Sequence, residues 1–320
     1  MTSSRCVPAT HLVNGVRLPI FFDADTARKS MDYTPKDTDV FIATYPKCGT
    51  TWMQHIVYLI QNHGKPPQDA AEFFHSSTYL EMLGQEAVDE VTVPGAIKTH
   101  LPFDKVPFSP KAKYIYVYRN PWDCVVSYFN HVKTIPPYNF QHGTFDDLFE
   151  AFMQGEVEDN DYFDHFLGWY ERRDEQNVFA ISYEEMHLDT VHAVRRVGQF
   201  LGEEYEKTLQ DENVLQEVLR CSSIEYMKVH ANEYMRQFFR KDKRDVLDDP
   251  SLAQSIKNIR KGFSEDDVDS FGLVKKGGIG KAVDVLKPHH VRRLKEKFDE
   301  KLAGVELPES WKALPYLSCT

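Results

Sequence analysis

The sequence predicts an α/β fold: a central parallel β-sheet flanked by helices, with one P-loop-like anion-binding loop, in a single domain spanning residues 1–320. Three observations carry this prediction. Four short runs rich in β-branched and aromatic residues, Val40–Ala43, Ala96–Thr99, Tyr114–Tyr118 and Val178–Ser182, read as buried strands. Stretches of helical periodicity separate them, the pattern of a parallel sheet covered on both faces. The first run leads through a loop holding Lys47 and Gly49 into a helix start, where unpaired N–H groups and the positive end of the helix dipole make an anion site.

Composition narrows the function. At 320 residues, 42% hydrophobic and 13% aromatic, the chain reads as a packed globular protein that needs no staples. A net charge of −11 disfavours generic binding to nucleic acid or to an anionic membrane, so an anionic ligand needs a local basic cluster. The five cysteines are odd in number, show no C-x-x-C spacing and accompany no Asn-x-Ser/Thr site, which favours a reducing compartment. The first thirty residues lack a basic-then-apolar signal and no apolar run approaches a membrane span, so the expected location is the cytoplasm. His289 and His290 are adjacent and would point roughly 100° apart on a helix, so no metal site is expected.

Taken in order, residues 1–39 carry Pro8, Pro19 and Pro35 with little periodicity and read as an extended arm. Pro46 ends the first strand, because proline has no N–H for a ladder, and Thr50-Thr51-Trp52-Met53 opens the helix. A nucleotide P-loop places its Lys after the last Gly; here Lys47 precedes Gly49, so that reading fails on order. After Gly64-Lys65-Pro66-Pro67 come short helices over 70–93. Pro102 ends the second strand, from which Lys98 and His100 project to one side. A cation beside an imidazole at a strand end suits acid–base work, although a lone histidine is more often structural. Arg119 sits at the carboxyl end of the third strand, where open α/β sheets bind ligands. Asn120, Pro121 and Asp123 then start a helix that carries Ser127 about two turns in. The aromatics between Tyr162 and Tyr170 recur at helical spacing as core. Residues 236–274 are charged and read as a mobile loop, and a last helix runs from about His290 to Leu302.

Five stretches together resemble the cytosolic sulfotransferase family, in the family's order. Thr44-Tyr45-Pro46-Lys47-Cys48-Gly49-Thr50-Thr51-Trp52 matches its phosphosulfate loop, T-Y-P-K-S-G-T-T-W, at eight of nine positions, with Cys48 in place of Ser. Lys98-Thr99-His100-Leu101-Pro102 is similar to the segment that carries the catalytic base. The string from Tyr116 to Ser127 resembles the 3′-phosphate signature, Tyr183-Glu184-Glu185-Met186 the Y-E-x-M segment, and Ser222-Ser223-Ile224 the segment that closes over adenine.

The resemblance implies a transferase that uses 3′-phosphoadenosine 5′-phosphosulfate, gives adenosine 3′,5′-bisphosphate and needs no metal. It implies that Lys47, Cys48, Gly49, Thr50 and Thr51 hold the phosphosulfate, and that Trp52, Tyr183, Ser222 and Ile224 frame the adenine. Arg119 and Ser127 would bind the 3′-phosphate, while His100, Lys47 and Lys98 would be catalytic. Phe22, Tyr79 and His131 match acceptor-pocket positions and imply, with Lys98 and His100, a small phenolic or catecholamine-like acceptor. The family's clamp triplet, Arg-Lys-Gly, has two candidates: Arg260-Lys261-Gly262 by identity and Lys275-Lys276-Gly277 by context, the latter being preferred. The family's short dimer motif is missing from the stretch holding Val283, Lys287, Pro288 and Arg292, which implies a monomer or another dimer. A nucleotide kinase and an inactive nucleotide-binding scaffold are the alternatives. The first lacks the Lys position, and the second should have lost His100.

Overall fold

The computed structural model describes residues 5–91, 94–240, 253–275, 277–312, 314, 316 and 317. Within them β1 (Thr10–Val13) and β2 (Val16–Pro19) pair antiparallel. The central sheet holds β3 (Val40–Thr44), β4 (Ile97–Thr99), β5 (Lys113–Tyr118) and β6 (Val178–Ser182) in the order β4-β3-β5-β6, with every neighbouring pair parallel. The chain steps from β3 to β4 on one side and then to β5 on the other. The strand order therefore reverses between β3 and β5, which is where such sheets open a ligand crevice.

Alternation along the strands sorts side chains by kind. Phe41, Tyr114, Tyr116 and Tyr118 belong to the packed cluster on one face; Ile42, Ile115, Val117 and Ile181 belong to that on the other. The aromatic face is met by the helix Tyr162–Tyr170, whose Trp169 stacks on Tyr116 at 5.4 Å. The aliphatic face is covered by the helices Thr50–Gln61 and Thr190–Leu201 through Met53, Ile56, Val57, Val194 and Val197.

Two expectations are corrected. Residues 1–39 are not an extended arm throughout: they hold the β1–β2 hairpin and a helix, Ala24–Ser30, capped by Asp23. The signal was present in Asn14-Gly15, both left-handed at φ 48° and 85°, a dipeptide that closes two-residue hairpins. The span 236–274, read as a mobile loop, contains the end of the helix Ile224–Arg240 and two further helices, Gln254–Lys261 and Glu265–Ser270; residues 241–252 of it lie outside the described residues. Apart from the buried Arg260, the charges of its described residues lie on the outer faces of amphipathic helices, with Ile256, Ile259, Phe263 and Val268 buried beneath.

The carboxyl ends of β5 and β6 are tied by Glu184, which is 1% exposed. Its Oε1 accepts from the Asn120 backbone N–H at 3.1 Å and side-chain amide at 2.7 Å, and its Oε2 accepts from Trp311 Nε1 at 3.1 Å. Glu184→Ala should strand these buried donors and cost about 2–4 kcal/mol in urea unfolding, since each unsatisfied buried group costs about 1–3 kcal/mol. A loss below about 1 kcal/mol would show that water takes the carboxylate's place.

Candidate active site

The loop after β3 is shaped by backbone as much as by side chains. Lys47 is left-handed at φ 71°, and Gly49 at φ 105° is the N-cap of the helix Thr50–Gln61 with no side-chain cap. The first N–H groups of that helix therefore face the loop. A Cβ at Gly49 would come to 3.0 Å from the Tyr183 ring, so glycine serves both the φ value and the close approach. The Cys48 thiol points into the core, 3.8 Å from Cys124 Sγ, leaving its backbone for the loop. The Thr50 hydroxyl lies 2.7 Å from the Thr44 hydroxyl.

Thr44 also meets His100. His100 Nδ1 is 2.7 Å from the Thr44 carbonyl and 3.0 Å from its hydroxyl. A carbonyl only accepts, so Nδ1 carries the proton and Nε2 presents a lone pair. Burial, and after it the Lys98 ammonium, hold the imidazole well below its usual pKa, so it is neutral at pH 7. One carboxylate oxygen aligns the strand end: Glu81 Oε1 accepts from the His100 N–H at 2.7 Å, the Leu101 N–H at 3.1 Å and the Thr99 hydroxyl at 2.9 Å. Nothing in the sequence pointed to Glu81, which lies in the first turn of the helix Leu80–Asp89, before the break at Gly84. Burial pushes the Glu81 carboxyl up to about 7 against these hydrogen bonds.

The half-buried Lys47 and Lys98 complete this side. Lys47 is brought down to about 8 by burial and then by Lys98, Lys275 and Arg119. Lys98 is brought down to about 8 by burial, with Glu81, Glu158 and Asp159 opposing. Its ammonium lies 3.7 Å from the centre of the Tyr79 ring. Crowded cations with depressed pKa values suit an anion that would restore their charge.

Across the crevice Arg119, 8% exposed, donates to the Lys47 carbonyl at 3.3 Å and the Gly278 carbonyl at 3.0 Å, and lies 4.3 Å over the Tyr183 ring. No carboxylate pairs with it among the described residues, and its Nε has no partner. Ser127 is half-buried in the helix Pro121–Thr134, and its hydroxyl makes no hydrogen bond among the described residues. One turn further on, the Asn130 carbonyl accepts from Lys275 Nζ at 3.2 Å. The segment after Lys275 is anchored by Asp123, which accepts from the Gly280 and Ala282 N–H groups at 2.7 and 2.9 Å. Gly277 is left-handed at φ 54°, and a Cβ there would lie 3.1 Å from Ile224 and 3.7 Å from the Tyr183 hydroxyl. Lys276 lies outside the described residues.

Trp52 and Tyr183 meet edge to face at 5.5 Å, Tyr183 accepts from the Gly278 N–H at 3.2 Å, and Ile224 stands 38% exposed beside Gly277. The buried Ser222 caps the helix before Ile224. Phe22 packs on Tyr79 at 5.3 Å, and Tyr79 on His100 at 5.2 Å. His131 is half-buried and lies 6.0 Å from Tyr138; burial, then Lys47, Lys98 and His100, depress its pKa. Arg260 lies under the Phe238 ring at 4.1 Å, on a helix whose Asn258 and Ser255 bond the Phe21 carbonyl and the Asp23 N–H. Its Nε and one terminal nitrogen have no hydrogen-bond partner among the described residues. Asp146, His289 and His290 bring ligand-type atoms within 4.8 Å, a grouping that adjacency of the two histidines did not foretell; His290 and Lys287 bond its two carboxylate oxygens.

The chain matches the model of the sulfotransferase domain over residues 37–306. It is 35% identical over 263 residues to "Sulfotransferase 2A1" of Macaca fascicularis, covering 79% of this chain and 86% of the relative. It is 30% identical over 291 residues to "Sulfotransferase 1C2" of Homo sapiens, covering 86% of each. Among solved structures, mouse sulfotransferase SULT7A1 complexed with PAP superposes with a TM-score of 0.67 at 23% identity, over 92% of this chain and 95% of that one. Retinol dehydratase in a complex with retinol and PAP does so at 0.68 and 20%, over 92% and 88%. The chain belongs to the sulfotransferase family.

Proposed function

We propose that this sulfotransferase moves a sulfuryl group from 3′-phosphoadenosine 5′-phosphosulfate to a hydroxyl, or an amine, of a small phenolic or catecholamine-like acceptor, with His100 as general base. The observation that carries it is the pairing of a bare His100 Nε2 with converging Lys47, Lys98 and Arg119, cations that form no direct ion pair with a carboxylate among the described residues. Family membership sets the kinase alternative aside.

The donor supplies an activated sulfuryl group. Lys47, the backbone from Cys48 to Gly49 and the hydroxyls of Thr50 and Thr51 would hold its 5′ end, and Trp52, Tyr183, Ser222 and Ile224 its adenine. Arg119, Ser127 and Lys275, with Lys276 and the close backbone at Gly277, would hold its 3′-phosphate. Phe22, Tyr79 and His131 wall the acceptor side. His100 would take the acceptor proton at Nε2 while the Thr44 carbonyl holds Nδ1–H, a role worth about 10²–10⁴ in rate. Lys47 and Lys98 would stabilise charge as it shifts, being preorganised for it. Anion binding also relieves the cationic field that depresses His100, so the base strengthens once the donor is in place. The unbonded thiols of Cys48 and Cys124 at 3.8 Å accord with a reducing, cytoplasmic setting.

A donor-transfer assay over phenols, catecholamines, steroids and alkyl alcohols tests the acceptor class; transfer confined to steroids or alkyl alcohols would refute it. His100→Ala should lower turnover by about 10²–10⁴ while calorimetry shows product-nucleotide affinity within about threefold of wild type. Equal loss of both would make His100 a binding residue. Lys275→Ala should weaken nucleotide binding by about 1–3 kcal/mol, the scale of one charged hydrogen bond, and Arg260→Ala should not. The opposite ranking would give the clamp to Arg260-Lys261-Gly262. Lys47 and Lys98 titrate near 8 when free, and a bound anion raises both. Nucleotide binding should therefore take up protons at pH 8.5 and weaken as pH rises above about 8. Calorimetry in two buffers of different ionisation enthalpy reads the uptake; identical heats would mean that neither lysine changes protonation.

A further inference from the structure

Two buried carboxylates have no part in the chemistry above. Glu158 and Asp159, 4% and 1% exposed, sit in the turn between the helices Phe145–Met153 and Tyr162–Tyr170. That turn is firmly held. Asp159 and Asn160 are both left-handed, at φ 59° and 64°. The Asp159 N–H donates to the Arg17 carbonyl at 2.8 Å, and Asn160 bonds the Arg17 N–H at 3.0 Å and the Gly15 carbonyl at 2.9 Å. Glu158 accepts the Tyr138 hydroxyl. Neither side-chain oxygen of Asp159 has a partner among the described residues. A buried carboxylate without a partner is costly, and each such group needs a physical explanation.

Contacts place the pair on the acceptor side. From Tyr138, which bonds Glu158, ring contacts run to Phe21 at 5.2 Å, on to Phe22 at 5.4 Å, to Tyr79 at 5.3 Å and to His100 at 5.2 Å. Tyr138 also meets His131 at 6.0 Å. The base and the acids thus stand at the two ends of one aromatic wall. Lys98, over the Tyr79 ring, feels both acids, and Lys47 feels Glu158. In the free protein burial pushes both carboxyls up, Asp159 well above its usual range, and the neighbouring ammonium groups oppose that shift. With the donor in place the two ammonium groups serve its anionic oxygens, and the acids lose their counter-charge.

We propose that Glu158 and Asp159 form an ammonium-binding subsite, so that the acceptor class is an aryl hydroxyl carrying a protonated amine at its far end. This rests on the acceptor reading above and narrows it. Glu158, already engaged by Tyr138, fixes the wall, and Asp159 offers its free oxygens to the ammonium. The competing explanation is that the pair only balances Lys98.

Matched acceptors separate the two: tyramine against 4-ethylphenol, and dopamine against 4-ethylcatechol, each assayed with the full-length wild type, Asp159→Asn and Glu158→Gln. The wild type should favour each amine over its neutral twin in kcat/KM. Asp159→Asn should lower that ratio by about 10- to 100-fold, the worth of one charge-assisted hydrogen bond. Glu158→Gln should lower it less. A wild type that prefers the neutral twins overturns the proposal even if Asp159→Asn fails to fold. A ratio unmoved in a folded Asp159→Asn, with both acceptors slowed alike, overturns it in favour of the Lys98 counter-charge while leaving the acceptor reading intact. Sulfation of none of the four compounds sinks both.

Discussion

Crowding of cations at the reversal between β3 and β5 is the constraint from which the rest of the site follows. Lys47, Lys98 and Arg119 converge there with Lys275 at the rim, in surroundings dry enough to bring Lys47 and Lys98 to about 8. Such a cluster repels itself and loses hydration on burial, so it disfavours the free folded state. The fold tolerates it because each cation sits on a rigid element. Lys98 is within β4, Arg119 directly follows β5, and Lys47 lies in a loop held between a strand and a helix start.

Most of the nearby carboxylates are engaged with neutral donors rather than with these cations. Glu81 gathers two backbone N–H groups and a hydroxyl at the end of β4. Asp123 holds two N–H groups of the segment after Lys275, and Glu184 holds Asn120 and Trp311. Carboxylates thus position the backbone and leave the positive charge for a ligand. Ion pairing is instead found further out, as between Lys297 and Asp161 or Arg293 and Glu150. This division reconciles a net charge of −11 with a site for a multiply charged anion. Besides Glu81, the acids that act on the lysines are Glu158 and Asp159, in the turn before the helix Tyr162–Tyr170.

Much of this arrangement was legible in the chain. All four strands of the sheet appear where apolar, β-branched and aromatic runs predicted them, because a strand buried on both faces needs continuous apolar character. Thr44 to Trp52 announced its strand, loop and helix start. Two stretches misled: Pro8, Pro19 and Pro35 drew attention from Asn14-Gly15, and the charges of 236–274 masked amphipathic helices whose buried faces are narrow.

By itself the sequence determined the order of the four sheet strands and the family, and singled out Lys47, Lys98, His100 and Arg119 as candidates, since these are local: a strand end, a glycine turn and a cap are written in consecutive residues. Only the tertiary structure decided which residues meet. Thr44 fixes the His100 tautomer from 56 positions away, and Glu81 aligns the end of β4 from 19. Gly277 closes on Tyr183 and Ile224, and both Asp159 oxygens are left without a partner among the described residues. Hydrogen bonding and burial depend on partners brought together by folding, and no spacing in the chain encodes a partner whose separation is set by the packing of the elements between.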